Sequence, residues 1–343
     1  MKLVVTDRAD AAEALARALG AKRHDDRTHA GQGHVVLRAG AGIVGLARAE
    51  EAPLADPRPG HPRLPAHLPP TIRDQAAFEV LRRALHHPKV EQVLVAVQPT
   101  RADELAFWLL YEAAECRAPL ARIELTGLDE ECLRQALAAP QAHTLLRTRA
   151  GYAEAVLDGL VGRTAAALAG LDHATADALG HLHLPSLVLL REPMTDAGLL
   201  RAMDAEGLGT ATSRADAVAS LTALGLLQRQ AGQLHVTDGG RTLVERLGDT
   251  LGAVGRVREW DETLLRIERG ELRERDLLEP ARAFLEELLA NGAPPRTLPA
   301  EVPARPRAAA TEPVPAATAP ATPSAPAPPS PAPTKRLQPE PRT

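Results

Sequence analysis

The chain has 343 residues and a formal net charge of −4. This length allows about two domains, and the negative charge argues against a protein that coats nucleic acid by electrostatics alone. The longest apolar runs, such as residues 93–97 and 187–190, are far shorter than the ~18 to 20 residues that cross a bilayer. The N-terminal segment turns acidic and helical soon after Val5, unlike a signal peptide. We therefore expect a cytoplasmic protein that does not associate with membranes.

The first half of the chain alternates strand-like and helix-like segments. Residues 1–6 form an apolar run typical of a strand, and residues 7–19 have the periodicity of a helix that ends at Gly20. The apolar run at residues 93–97 predicts another strand, which is followed at once by an amphipathic helix. This alternation predicts a mostly parallel sheet with crossover helices. The loops after Val5 and residue 97 would then meet at the carboxyl end of the sheet, where ligands bind.

Shorter elements complete this half of the chain. HVVLRAG and GIVGLA predict two short strands joined by Ala-Gly, and a Pro-rich insertion at residues 51–70 predicts an extended connection across the surface. Residues 71–85 have helical periodicity. ARIELTGL predicts a strand, and DEECLRQALAA predicts a helix with Asp129 as its N-cap.

The second half of the chain has a different pattern. Residues 151–170 predict a helix, and after Pro193 the order is helix, turn, helix and then a hairpin in QRQAGQLHV. This order is typical of a winged helix. Further helix is predicted to residue 289, whereas residues 293–343 are rich in Ala, Pro, Thr and Ser and predict a disordered tail.

Several motifs occur in one order that resembles a known family. They are AVQPTRADELAFWLL at residues 96–110, ALGHLHLPSLVLLRE at residues 178–192 and MTDAGLLRAMDAEGLGTATSRADAVASL at residues 194–221, with VVTDRADAAEALARAL near the start. The collinear set resembles type IA DNA topoisomerases of the topoisomerase III kind over roughly residues 1–290. The resemblance implies a TOPRIM-like α/β domain at residues 1–148 that includes the Pro-rich insertion. It also implies a helical and winged-helix DNA-binding region at residues 149–292, followed by the disordered tail.

The chain departs from the family at the metal loop. The family holds Mg²⁺ with an Asp-x-Asp-x-Glu loop, because a hard cation prefers carboxylate oxygens. Gln98, Thr100 and Ala102 occupy those positions here, and Asp7 stands where the family's first motif has Glu. We therefore expect no metal site and no cofactor.

The chain also departs from the family in its nucleophile and gate. The family cleaves DNA with a tyrosine that forms a covalent intermediate. Tyr111 and Tyr152 are the two tyrosines here, and neither has the family's Tyr-x-Arg-Thr context. The family inserts its gate domains where Glu192 is followed directly by Pro193. We expect no catalytic residue and no strand passage gate.

Nucleic-acid binding remains as the expected function. The resemblance implies contacts to a DNA backbone, because threonine hydroxyls, helix N-termini and arginine suit phosphate oxygens. The candidate DNA-binding residues are Arg101, His181, His183, Thr210, Thr212 and Arg214. The two histidines replace Arg and Gln of the family and are expected to be mostly neutral near pH 7. The alternative interpretation of residues 210–214 is a capped helix start with a surface arginine.

We therefore expect a DNA-binding relative of type IA topoisomerases, without strand cleavage or passage, that binds single-stranded DNA or a DNA-processing partner. One alternative is an active topoisomerase or a TOPRIM-type phosphoryl-transfer enzyme, with Mg²⁺ held by Asp7, Asp103 and Glu104. The other alternative is a winged-helix regulator or scaffold.

Overall fold

The computed structural model describes residues 1–31, 33–40, 42–51 and 64–291. The strands are β1 (Lys2–Thr6), β2 (Lys22–Arg23), β3 (Thr28–Ala30), β4 (His34–Arg38), β5 (Val44–Leu46), β6 (Pro70–Ile72), β7 (Gln92–Val95), β8 (Leu120–Arg122), β9 (Gln141–Ala142), β10 (Leu227–Gln230) and β11 (Gln233–Val236). The helices are α1 (Ala9–Ala18), α2 (Gln75–Leu85), α3 (Arg101–Ala113), α4 (Glu130–Ala138), α5 (Leu146–Ala169), α6 (His173–Ala178), α7 (His183–Leu189), α8 (Asp196–Ala205), α9 (Ala211–Ala223), α10 (Asp238–Leu247), α11 (Val254–Glu268) and α12 (Glu274–Asn291).

The first half of the chain builds a seven-stranded sheet in the order β2-β3-β4-β1-β7-β8-β9. Its centre is parallel, with Val4 opposite Val36 on one side and Leu94 on the other. All three side chains are almost fully buried, as expected when helices cover both faces of a parallel sheet. The predicted parallel sheet with crossover helices is therefore confirmed at its centre. The antiparallel pairing at both edges was not predicted.

The region around the Pro-rich insertion differs from the sequence-based expectation. β5 does not extend the sheet beside β4 but pairs with β6 in a separate two-stranded sheet, with Val44 opposite Ile72. Two strand residues therefore replace the expected helix start, and α2 begins later, at the N-cap Asp74. The surface connection predicted at residues 51–70 is wrong at its described end, because Leu64 and Leu68 are buried in the helical core. Residues 52–63 lie outside the described residues.

The long helix α5 lies at the centre of the second half of the chain and packs against α3, α6, α11 and α12. Two of its glycines allow close approach of neighbouring backbones. A Cβ on Gly151 would lie 2.3 Å from the carbonyl oxygen of Arg101, and a Cβ on Gly162 would lie 2.0 Å from that of Ala176. These positions therefore exclude every larger side chain unless the backbone shifts.

The segment after α7 has the predicted order of helix, turn, helix and hairpin. Thr195 and Thr210 are the N-caps of α8 and α9, and each side chain accepts a hydrogen bond from a backbone N–H in the first turn. β10 and β11 form an antiparallel hairpin whose turn residues Ala231 and Gly232 have φ values of 49° and 78°. The backbone N–H of Leu234 in β11 donates to the carbonyl oxygen of Met194 at 2.7 Å. The connection between α7 and α8 is therefore anchored on the hairpin.

The helix α5 runs through the position near residue 148 at which the sequence predicts a domain boundary, and this boundary stays a prediction. The tail predicted to be disordered, residues 293–343, lies outside the described residues. Among the described residues, no helix combines the length and the apolar character that crossing a membrane requires.

Candidate functional site

The loops that follow β1 and β7 meet, as the parallel sheet predicts. The backbone N–H and the side-chain amide of Gln98 lie 3.3 and 3.4 Å from the two carboxylate oxygens of Asp7. Thr100 is the N-cap of α3, accepts a hydrogen bond from Asp103 N–H and donates its hydroxyl to the Asp103 carboxylate at 2.5 Å. The carboxylates of Asp7 and Asp103 are therefore already in contact with Gln98 and Thr100, and a metal ion would have to displace these contacts.

The three acids of the enzyme alternative do not form one cluster, because Asp7 and Asp103 line the same small pocket whereas Glu104 pairs with Arg122 elsewhere. Burial raises the pKa of Asp103, and the nearby charge of Asp7 adds to this shift. Glu104 is buried on another side of α3, where its Oε1 lies 2.5 Å from Nη1 of Arg122. Asp7 and the Gln98 amide are a poor ligand set for Mg²⁺, which prefers octahedral oxygen ligands with carboxylate charge. The residues present at this loop therefore do not fit the family's metal.

Both tyrosines have packing roles. The Tyr111 hydroxyl donates to the carbonyl oxygen of Ala118 at 2.8 Å, and its ring stacks on Trp108 with centroids 5.6 Å apart. Tyr152 is half-buried against the hydrophobic core, and burial raises its pKa. Both rings therefore pack on hydrophobic core clusters.

A cleft of about 370 Å³ lies where α3, α5, α9 and the segment before α7 meet. Its lining includes His181 and His183 together with Ser213 of α9. The two segments that were predicted to contact DNA are therefore brought together at one cleft. Its acidic lining residues are Glu154, Asp158 and Asp216, and among the described lining residues there is no lysine or arginine.

His181 forms a buried ion-pair triad. Its Nδ1 lies 2.6 Å from Asp158 Oδ1, and its Nε2 lies 3.2 Å from Asp261 Oδ1. Burial alone would lower the pKa of His181, but the two carboxylates raise it well above its ordinary value. The expectation that His181 is mostly neutral near pH 7 is therefore wrong, because it took no account of these two partners.

His183 is different from its neighbour. The backbone N–H of Gly180 lies 2.8 Å from His183 Nδ1. Burial lowers the pKa of His183, so this ring is neutral near pH 7, as expected. Neither histidine supplies an exposed positive charge to the cleft.

The predicted residues at the start of α9 form a capping box. The hydroxyls of Thr210 and Ser213 lie 3.0 Å apart, and each accepts a hydrogen bond from the other residue's backbone N–H. Thr212 is exposed. Nη1 of Arg214 lies 2.6 Å from Asp204 Oδ1, and its side chain is only 13% exposed. Thr212 is thus accessible, whereas Arg214 is held in an ion pair.

Arg101 lies beneath the cleft and not on its surface. Its side chain is 6% exposed and bridges two carboxylates, with Nη1 3.4 Å from Glu154 and Nε 3.1 Å from Glu268. In this arrangement Arg101 joins α3 to α5 and α11. Contact between Arg101 and a DNA backbone would require both ion pairs to open.

The sequence analysis missed three acidic residues at this site. Asp158 stands in the motif VLDGLVGRTAAAL, and Glu154 lies one helical turn before it on α5. Asp261 comes from α11, and its second oxygen accepts a hydrogen bond from Gly209 N–H at 2.8 Å. The i and i+4 spacing of Glu154 and Asp158 was a readable signal for one shared helix face. Nothing local signalled Asp261.

Comparisons with known proteins agree with this architecture. A family model described as DNA topoisomerase matches residues 191–279. DNA topoisomerase 3 of Staphylococcus haemolyticus (strain JCSC1435) is 29% identical over 83 residues, which are 24% of this chain and 12% of that relative. The structure of full-length topoisomerase I from Thermotoga maritima matches with a TM-score of 0.60 and 10% identity. This match covers 84% of the present chain and 90% of the solved one.

The chain is type IA topoisomerase-like. At 10% identity, the structural match to the Thermotoga maritima protein shows the fold alone. The sequence match spans only 12% of the curated relative. Similarity over so short a segment does not establish that relative's activity for this topoisomerase-like chain. The matched residues 191–279 contain α8 to α11, including the capped start of α9 and Asp261.

Proposed function

We propose that the chain binds nucleic acid as a topoisomerase relative that neither cleaves nor passes strands. The observation that carries this proposal is the state of the loop after β7. Thr100 hydrogen-bonds to Asp103 within this loop, Gln98 lies 3.4 Å from Asp7 of the loop after β1, and Glu104 is paired with Arg122 elsewhere. Among the described residues, this loop does not hold the three carboxylates of the family's metal site, and both tyrosines pack on hydrophobic core clusters, which argues against DNA cleavage.

The connection between α7 and α8 supports the absence of the gate. α7 ends at Leu189 and α8 begins at Asp196, with Met194 in contact with the β10–β11 hairpin. A segment this short and this anchored contains no inserted domain. The fold likeness extends over 90% of the solved Thermotoga maritima chain. The support for a missing gate therefore comes from this short connection.

Single-stranded DNA is the ligand that we propose first. α9 begins beside the cleft with an exposed Thr212, and the hydroxyl and positive dipole end of a helix N-terminus suit a phosphate. The acidic cleft wall disfavours phosphates inside the cleft itself. A DNA backbone would therefore lie across the start of α9.

Two assays on the full-length chain test this proposal. Incubation with negatively supercoiled plasmid and Mg²⁺ should give neither relaxation nor a covalent protein–DNA adduct. Fluorescence anisotropy should show tighter binding of a labelled single strand than of the matching duplex, with an affinity that falls as salt rises. Relaxed plasmid or an adduct would overturn the non-cleaving part of the proposal, and duplex preference would overturn the single-strand part.

A second candidate function, protein binding by a scaffold, is favoured by the pairing of arginines in the α8–α11 region. Arg214, Arg229, Arg241 and Arg258 pair with Asp204, Asp196, Asp238 and Glu206, respectively. Paired guanidinium groups contribute little to an electrostatic footprint for DNA. Absence of binding to both single strands and duplex at low salt would favour a DNA-processing protein as the partner.

A further inference from the structure

We propose that Glu154, His181 and Asp261 form a binding site for a divalent transition-metal ion, with Zn²⁺ as the preferred ion. The three residues come from α5, the segment before α7 and α11, and their ligand atoms all lie within 4.8 Å of one another. His181 and Asp261 are buried and Glu154 is half-buried at the cleft. This site is distinct from the loop after β7, where the family holds Mg²⁺.

The spacing of the ligand atoms fits a small metal ion. Zinc lies about 2.0 to 2.2 Å from nitrogen and oxygen ligands, so neighbouring ligand atoms in a tetrahedral site are roughly 3.3 to 3.5 Å apart. His181 Nε2 and Asp261 Oδ1 are 3.2 Å apart. The Glu154 carboxylate, which faces the cleft, closes the remaining distance by a change of side-chain rotamer. A fourth position is left toward the cleft for water.

The hydrogen bonds around the ligands supply the second observation. The other ring nitrogen of His181, Nδ1, lies 2.6 Å from Asp158, and this carboxylate also accepts from His181 N–H at 2.8 Å. Metal-binding histidines usually donate their second nitrogen to a carboxylate in this way, which fixes the ring orientation and the tautomer. Asp261 is fixed in turn by Gly209 N–H. The imidazole nitrogen and the buried carboxylate are thus oriented before any ion binds.

The charge balance favours a cation. Glu154, Asp158 and Asp261 bring three carboxylates together, while Arg101 is shared between Glu154 and Glu268. His181 also contacts these carboxylates, and an ion bound at its Nε2 would leave the hydrogen bond between Nδ1 and Asp158 in place. An imidazole among the ligands favours Zn²⁺ over Mg²⁺ and Ca²⁺, which prefer oxygen ligands, and over Mn²⁺, which binds nitrogen ligands more weakly than Zn²⁺ does.

The alternative is that His181, Asp158 and Asp261 form an ion-pair triad that binds no metal ion. Isothermal titration of the chelator-treated, dialysed full-length chain with ZnCl₂, MnCl₂ and MgCl₂ distinguishes the two. We expect one Zn²⁺ per chain, weaker Mn²⁺ binding, and Mg²⁺ binding weaker again by at least about 100-fold, in line with ligand preference. Titration with CoCl₂ should give the visible absorption of four-coordinate Co²⁺. If neither Zn²⁺ nor Mn²⁺ binds the folded chain, the proposal is wrong.

A pair of matched variants locates the ion. Glu154→Gln and Glu268→Gln each remove one carboxylate that pairs with Arg101, but only Glu154 is a proposed ligand. We expect Glu154→Gln to weaken Zn²⁺ binding by more than about tenfold and Glu268→Gln to leave it within about twofold. Asp158→Asn should weaken binding by roughly 10- to 100-fold through its effect on the histidine. Equal Zn²⁺ affinities in the two Gln variants would overturn the assignment.

Folding of the variants is checked by circular dichroism without metal. If Glu154→Gln does not fold, the Co²⁺ affinity of folded Asp158→Asn, read from the absorption during titration, serves as the deciding measurement, and an affinity equal to that of the unsubstituted chain overturns the proposal. These titrations contain no DNA. Metal binding and the proposed DNA binding can therefore fail independently of each other.

Discussion

A single buried ion pair joins α3 to the sheet. Glu104 and Arg122 are 3% and 6% exposed, and the Arg122 guanidinium also donates to the carbonyl oxygen of Val97 at 2.6 Å. Burial raises the pKa of Glu104 and lowers the pKa of Arg122, and each residue's charge partly offsets the shift of the other. Desolvation is thus the dominant cost at this pair, and the attraction compensates for it only while both charges are present.

Removal of one charge of this pair should therefore be worse than removal of both. Arg122→Met leaves the buried Glu104 with only the more exposed Arg147, whose Nη1 lies 3.8 Å away, and we expect a loss of about 3 kcal/mol in the free energy of unfolding. The double variant Glu104→Leu, Arg122→Met should be more stable than Arg122→Met alone. Urea unfolding at neutral pH measures both. A double variant that is less stable than the single variant would show that Glu104 carries no such penalty once Arg122 is removed.

At the scale of elements, the close packing of α5 against α6 depends on glycine. A Cβ added to Gly162 would lie 2.0 Å from the carbonyl oxygen of Ala176 and 2.7 Å from that of Leu179. Backbone atoms cannot rotate away as a flexible side chain can, so the two elements would have to separate. A glycine in a helix interior ordinarily costs stability relative to alanine, and here the contact with α6 outweighs that cost.

Gly162→Ala should therefore destabilise the chain, against the usual trend for alanine in helices. We expect a loss of about 1 to 3 kcal/mol, as for other overpacked interiors. Gly255→Ala in α11 is the matched control, because its Cβ would meet no atom within 4 Å. That control should be neutral or stabilising by up to about 1 kcal/mol. Equal thermal midpoints for the two variants would contradict the importance of the contact.

Elements with local signals could be predicted from the sequence, and elements that depend on distant partners could not. β1, α8 and the β10–β11 hairpin follow from apolar runs, a Thr195 cap and an Ala-Gly turn. By contrast, β5 pairs with β6 across the Pro-rich insertion, and no local pattern indicates that pairing. The same holds for the charge of His181, because its partners stand 23 and 80 residues away in the chain.

At the scale of the whole molecule, the arginines of the α8–α11 region are compensated by acids. Residues 194–247 contain five arginines and six acidic residues. Arg214, the arginine closest to the proposed DNA contact, is paired with Asp204, whose own side chain is 70% exposed. Such an exposed partner holds the arginine only weakly, with a typical worth below about 1 kcal/mol. A phosphate could therefore replace Asp204 without a large penalty.

If single-stranded DNA lies across the start of α9, release of Arg214 should strengthen binding at that place in particular. Asp204→Asn removes one negative charge and frees Arg214, whereas the control Asp238→Asn removes the same charge and frees Arg241 on α10. We expect tighter single-strand binding for Asp204→Asn than for Asp238→Asn, measured by anisotropy at several salt concentrations. Arg214→Ala should weaken binding and lower the salt slope by about one. A DNA contact at the start of α9 requires the position of the removed charge to matter. Equal gains in affinity for the two Asn variants would therefore mean that net charge alone controls binding.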